Sequence, residues 1–156
     1  MTDPACDAPE ETEKQRIERD YDEMLEEIRI ALPGGEVMLG FLLTAPFSER
    51  FSRLTDLLKG VYLVSLLCVA LSTALLLAPT AYHRIRFQAH DKPWITRRGT
   101  ALVIAAMIVM VPGISGTLFV VTDVIFSRVA AAFVSGATVL FLVGLWFAVP
   151  LLRRRS

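Results

Sequence analysis

Charge is what this chain lacks over most of its length. Residues 60–80, 99–122 and 129–152 contain no Asp, Glu, Lys, Arg or His. A helix on the surface of a soluble domain keeps one polar face, so three such runs exclude an ordinary water-soluble fold. Cysteine is scarce as well. Cys6 lies in a polar segment and Cys68 inside an apolar run, which excludes a disulfide framework. Histidine occurs only as His83 and His90, neither with an acidic or thiol companion at ligand spacing, so no metal centre is expected. Intramembrane hydrolysis needs a Ser–His or Ser–Lys pair, two aspartates or a zinc motif at depth. The nearest histidine to Ser72 is His83, 11 residues away, and no pair can be drawn. The expectation is a protein that is not an enzyme and that uses no cofactor. Residues Met1 to Cys6 lack the basic and apolar regions of a signal peptide, so no cleaved leader is expected.

What is present is apolar length. A bilayer core of roughly 30 Å takes about 20 apolar residues of helix to cross. The chain is 54% hydrophobic over 156 residues with mean hydropathy +0.52, above the roughly 45–50% of soluble domains. The charges are segregated, with 11 of the 16 acidic residues in the first 27 positions. These features predict an all-α fold: an integral membrane four-helix bundle preceded by an amphipathic cytosolic helix. The expected divisions are a flexible acidic tail at 1–9, the amphipathic helix at 10–30, a four-span domain at 31–152 and a basic tail at 153–156. The spans are expected at about 31–47, 60–80, 99–121 and 129–152.

In the head, Asp7 or Ala8 can cap a helix with Pro9 in its first turn and Glu10, Glu11 and Glu13 near the positive end of its dipole. Ile17, Tyr21, Met24, Ile28 and Ala31 are spaced 4-3-4-3, a heptad-like stripe. It packs either on its own protein or in a short coiled coil with a partner. The first span is the weak one. Val37 to Phe47 is too short to cross alone, and extension to Ile28 takes in Arg29, Pro33, Gly34, Gly35 and Glu36. It reads as a short, broken or tilted span, or as an interfacial or re-entrant piece.

Basic residues decide between three spans and four. With four, Lys14, Arg16, Arg19 and Arg29 share a side with Arg84, Arg86, Lys92, Arg97, Arg98 and Arg153 to Arg155. That side holds 12 basic residues, against Arg50, Arg53, Lys59 and Arg128 on the other. Three spans would divide the 16 equally. The positive-inside rule expects asymmetry, so four spans with both termini cytoplasmic are predicted.

Within the spans, Ser65, Cys68 and Ser72 fall on one face and should look into the bundle. Pro112-Gly113-Ile114-Ser115-Gly116 predicts a kink, or a broken segment that lines an ion site. Thr122 to Ser127 is a tight turn, with Asp123 and Arg128 either paired at its tip or simply marking the water interface. Ala132, Gly136 and Gly144 form a small-residue stripe for close helix approach, within the chain or to a second copy. Glu36, His83 and Asp123 are the candidate functional polar positions at the membrane rims. Arg84, Arg86, Lys92, Arg97 and Arg98 interleave with aromatic residues between the second and third spans. At a membrane their nearer partner is anionic lipid rather than nucleic acid, although orientation alone also accounts for them.

Glu26-Glu27-Ile28-Arg29 followed by Gly40-Phe41-Leu42-Leu43-Thr44-Ala45-Pro46-Phe47 resembles the opening of a family of small actinobacterial membrane proteins known as domain of unknown function 6328. Leu77-Ala78-Pro79-Thr80-Ala81-Tyr82-His83-Arg84 resembles its second motif, and the hairpin with Asp123 fits its second half. The resemblance covers roughly residues 15 to 152. Glu36 stands where that family is expected to have glutamine. The family has no established activity, and a sodium/proton antiporter label on some members is what the resemblance implies by way of transport. The residues themselves favour a non-enzymatic accessory or interaction subunit of the inner (plasma) membrane, in contact with anionic headgroups and with a second copy or a membrane protein partner. The alternative is an ion-coupled transporter or channel component.

Overall fold

Inside a bilayer a backbone finds no water to bond with, and a helix satisfies its own N–H and C=O groups. The described residues take that solution over nearly all their length. A computed structural model describes residues 13–85 and 92–148. Its elements are α1 (Glu13–Thr44), a 3-10 turn (Ala45–Phe47), α2 (Glu49–Ser52), α3 (Asp56–Ile85), α4 (Lys92–Ile125), α5 (Arg128–Val143) and a π-helical turn (Gly144–Ala148). Four stretches are long and apolar enough to cross a membrane: Leu25–Phe47, Asp56–Ala81, Gly99–Ile125 and Arg128–Phe147. The acidic tail, the first turn expected at 10–12, Arg86, the end of the fourth span at 149–152 and the basic tail lie outside the described residues.

The expected boundary at residues 30 and 31 is not there. Glu13–Thr44 is one helix, α1, which runs through Pro33, Gly34 and Gly35. Proline removes one backbone donor, but Pro33 is on an exposed face and the helix continues past it. The inward row is Leu25, Ile28, Leu32, Gly35, Leu39 and Leu42, with Ile28, Gly35 and Leu42 fully buried at seven-residue intervals. Of the expected heptad stripe, Ile28 is on this row, and Leu32 rather than Ala31 follows it.

The tightest packing joins α3 and α4, and glycine makes it so. A Cβ on Gly113 would stand 2.8 Å from Val69 Cγ2 and 3.3 Å from its backbone nitrogen. One on Gly116 would overlap Ser65 Oγ. Lipid is as apolar as leucine, so close van der Waals approach and hydrogen bonds, not escape from water, hold such helices together. Val69 is completely buried in this seam, and Ser72 Oγ donates to the Ala106 carbonyl at 2.8 Å. As the spacing anticipates, Ser65 and Ser72 face inward, while Cys68 is half-buried. Pro112 is accommodated within a continuous α4.

Helix α1 leans on both α3 and α4. One cluster, Leu42, Leu58, Tyr62, Val69 and Val120, closes the end near the α1–α3 connection, where Phe51 meets Tyr62 edge-on at 4.9 Å and the Tyr62 hydroxyl donates to the Leu42 carbonyl. A second cluster, Ile28, Leu76 and Ala106, closes the other end. Helix α5 starts at Ser127, whose side chain accepts from Ala130 N–H, and folds back on α4 through Ala131. Its other faces are bare. Phe133 and Leu140 are about three-quarters exposed, as suits a surface solvated by acyl chains and not by water. The stripe of Ala132, Gly136 and Gly144 lies outside the chain's own packing: nothing approaches within 4 Å of a Cβ at either glycine.

Candidate functional site: a carboxylate at membrane mid-depth

The register of α1 against its neighbours fixes the depth of Glu36. Its neighbour Gly35 packs against Thr73 of α3 and Met110 of α4; a Cβ there would lie 3.1 Å from Thr73 Oγ1 and 3.7 Å from Met110 Cε. Met110 is at the middle of the uncharged run 99–122. Glu36 is also the central residue of Leu25–Phe47. Two independent measures thus agree. Glu36, expected at a membrane rim near the cytoplasmic end of the first span, stands level with the middle of the uncharged run of α4.

It is also turned outward. Glu36 is exposed, about 100° round the helix from the buried Gly35. Among the described residues nothing ion-pairs or hydrogen-bonds with its carboxylate, and it is the only ionisable residue between Arg29 and Glu49. A charge at the centre of a membrane helix costs about 2.5–3.5 kcal/mol on insertion scales, and such groups pair or face a bundle interior. Glu36 does neither among the described residues.

Asp123 behaves differently. At the tip of the α4–α5 hairpin its Oδ1 accepts from Arg128 Nε at 3.3 Å, and its side chain is only 12% exposed against 59% for Arg128. The two alternatives for this pair resolve as an ion pair at the rim, at the opposite end of the helices from Arg29. His83 and Arg84 fall in the last turn of α3, and Lys92, Arg97 and Arg98 in the first turns of α4, so one end of the array gathers them. For these five positions the backbone alone is described.

The hydroxyls that might have ligated a cation are engaged in their own helices. Ser115 donates to the Val111 carbonyl and Thr117 to the Gly113 carbonyl, both at 2.7 Å. Ser65 and Thr73 back-bond likewise to Val61 and Val69. No buried side-chain polar atom among the described residues lacks a partner.

Sequence spacing did not point to the cavities beside α1. One of about 450 Å³ has Glu27, Ala31 and Gly34 on one wall, Met107 and Met110 on its floor and Trp146 of the π-helical turn opposite. Another, of about 580 Å³, runs between α1 and α4 from Gly34 to Ser48, with Arg50 at its mouth. Both are lined by residues of α1 and α4 that are far apart in sequence, a tertiary property that no local pattern encodes.

No curated protein and no solved structure matches the chain. The family model described as a family of unknown function, DUF6328, matches residues 10–150, and the chain belongs to that family.

Proposed function

We propose that the protein is a non-enzymatic interaction subunit of the plasma membrane, with both termini in the cytoplasm, whose first helix docks on another membrane helix through the face around Glu36. One observation carries this reading: an outward carboxylate at mid-depth with no partner among the described residues. A neighbouring helix that supplies a cation or a hydrogen-bond donor removes the cost of that placement. The bare faces of α5 and its unused small-residue stripe add area for such contacts. Purification of a C-terminally tagged chain in mild detergent, followed by native mass measurement, tests the reading. An oligomer or a stoichiometric complex is expected; a lone monomer with no companion would end it. A reporter fused at Ser52 is expected outside the cytoplasm, and a cytosolic signal there would reverse the orientation.

The same carboxylate favours one other reading, an ion-coupled carrier, since such proteins need an ionisable group at depth. Oriented proteoliposomes that carry sodium or proton flux lost in Glu36→Gln would move the assignment there.

A further inference from the structure

The flank of α1 away from Glu36 has the shape of an amphiphile. Phe41 lies about 140° round the helix from Glu36. With Val37 and Ala45 it forms one wall of the 580 Å³ groove, and Val120, Val121 and Val124 of α4 form the other. The groove begins near Gly34, at mid-depth, and ends at Ser48. Fourteen residues of helix rise about 21 Å, close to one leaflet of a core roughly 30 Å thick together with its interface. The volume falls within the roughly 300–1,000 Å³ of ordinary ligand pockets.

At its rim the groove becomes polar and basic. A second cavity of about 580 Å³ shares Arg50, Leu54, Val124 and Ile125 with the first and adds Arg53, Thr55 and Asp123. The charge of Asp123 is taken by Arg128. Glu49 and Asp56 are adjacent in sequence but line neither cavity. Neither Arg50 nor Arg53 forms an ion pair among the described residues. An apolar slot of leaflet depth thus opens on two guanidiniums whose geometry suits phosphate.

We propose that this groove holds one anionic phospholipid of the surrounding leaflet, an acyl chain between α1 and α4 and the phosphate on Arg50 and Arg53. The site is separate from the Glu36 face and survives the failure of the docking reading. It is also at the opposite end of the helices from the basic residues of the α3–α4 connection.

The test uses the full chain in vesicles of equal parts phosphatidylglycerol and phosphatidylcholine, extracted in mild detergent and weighed by native mass spectrometry. One phosphatidylglycerol per chain is expected, preferred over phosphatidylcholine by about tenfold or more, since each basic residue near an anionic surface contributes about a fivefold factor. Arg50→Gln with Arg53→Gln should remove that preference, so that the two lipids are retained equally. Val121→Trp, which fills the groove from an exposed wall position, should abolish the adduct. Lys59→Gln, at the same rim but lining neither cavity, should change nothing. Helical circular dichroism confirms that each variant is folded. Equal retention of the two lipids by the wild-type chain overturns the proposal. So does a phosphatidylglycerol adduct that survives Val121→Trp, or a lipid-free dimer that covers the groove.

Discussion

Replacing Glu36 by leucine should weaken the protein's assembly and leave its fold intact. The side chain is exposed on α1, outside the buried row formed by Ile28, Gly35 and Leu42, so the intramolecular packing does not depend on it. What the substitution removes is a contact with another helix. If that contact is a hydrogen bond, membrane double-mutant cycles put it at about 0.6 kcal/mol and at most about 1.7, which weakens association by roughly 3- to 20-fold. If it is an ion pair, the partner's cation is left unpaired at depth, at about 3–5 kcal/mol, and association falls by more than about a hundredfold. Glu36→Gln separates the two, because the amide keeps a hydrogen bond and loses the charge. The assay is native mass as a function of dilution in mild detergent, with helical content and melting of the dissociated chain as the control for folding. Association by Glu36→Leu that equals or exceeds the wild type would refute the reasoning, since it would mean that the carboxylate faces lipid and that its removal is a simple relief.

Gly116→Val should destabilise the α3–α4 seam by about 1–3 kcal/mol, the cost of overpacking, because the added carbons meet Ser65 and Val61; Gly136→Val, in open space on α5, should leave the melting of the isolated chain within about 0.5 kcal/mol. Equal effects at the two sites would contradict the helix placement. Ser72→Ala loses only the bond to the Ala106 carbonyl, so reversible unfolding in detergent should fall by about 0.6 kcal/mol; a loss of several would mean that Ser72 serves more than this one contact. Asp123→Asn removes a half-exposed rim pair, and the expected change of about 0–1 kcal/mol should shrink further with added salt.

Much of this architecture is legible in the sequence because charges mark where helices leave the apolar layer. Asp56 and Lys59 open α3, Arg97 and Arg98 precede the apolar part of α4, and Asp123 and Arg128 bracket the hairpin tip. The inward face of Ser65 and Ser72 is legible for the same reason, since hydroxyls avoid acyl chains. Pro33 and its two glycines misled. They read locally as a break, yet proline costs a helix one bond, and here its ring is on an exposed face while Gly35 lets Thr73 approach. The small-residue stripes show the limit of pattern alone. Both α4 and α5 carry glycines, but Gly113 and Gly116 have a helix against them while Gly136 and Gly144 face open space. Depth was the hardest property to read. Glu36 is seven residues from Arg29 in sequence, and the registry of its neighbour Gly35 with Thr73 and Met110 is what sets it level with the middle of α4's uncharged run.

That placement can be tested with a nitroxide on the Glu36 face. Gly40 is one turn along from Glu36, with open space where a Cβ would stand, so Gly40→Cys, with Cys6→Ser and Cys68→Ala, accepts a label without disturbing the chain's own packing. In native-membrane nanodiscs the label should be immobilised and poorly accessible to oxygen, because another helix covers it. A freely tumbling label with high oxygen accessibility would show a face solvated by lipid, and Glu36 would then have no partner to meet.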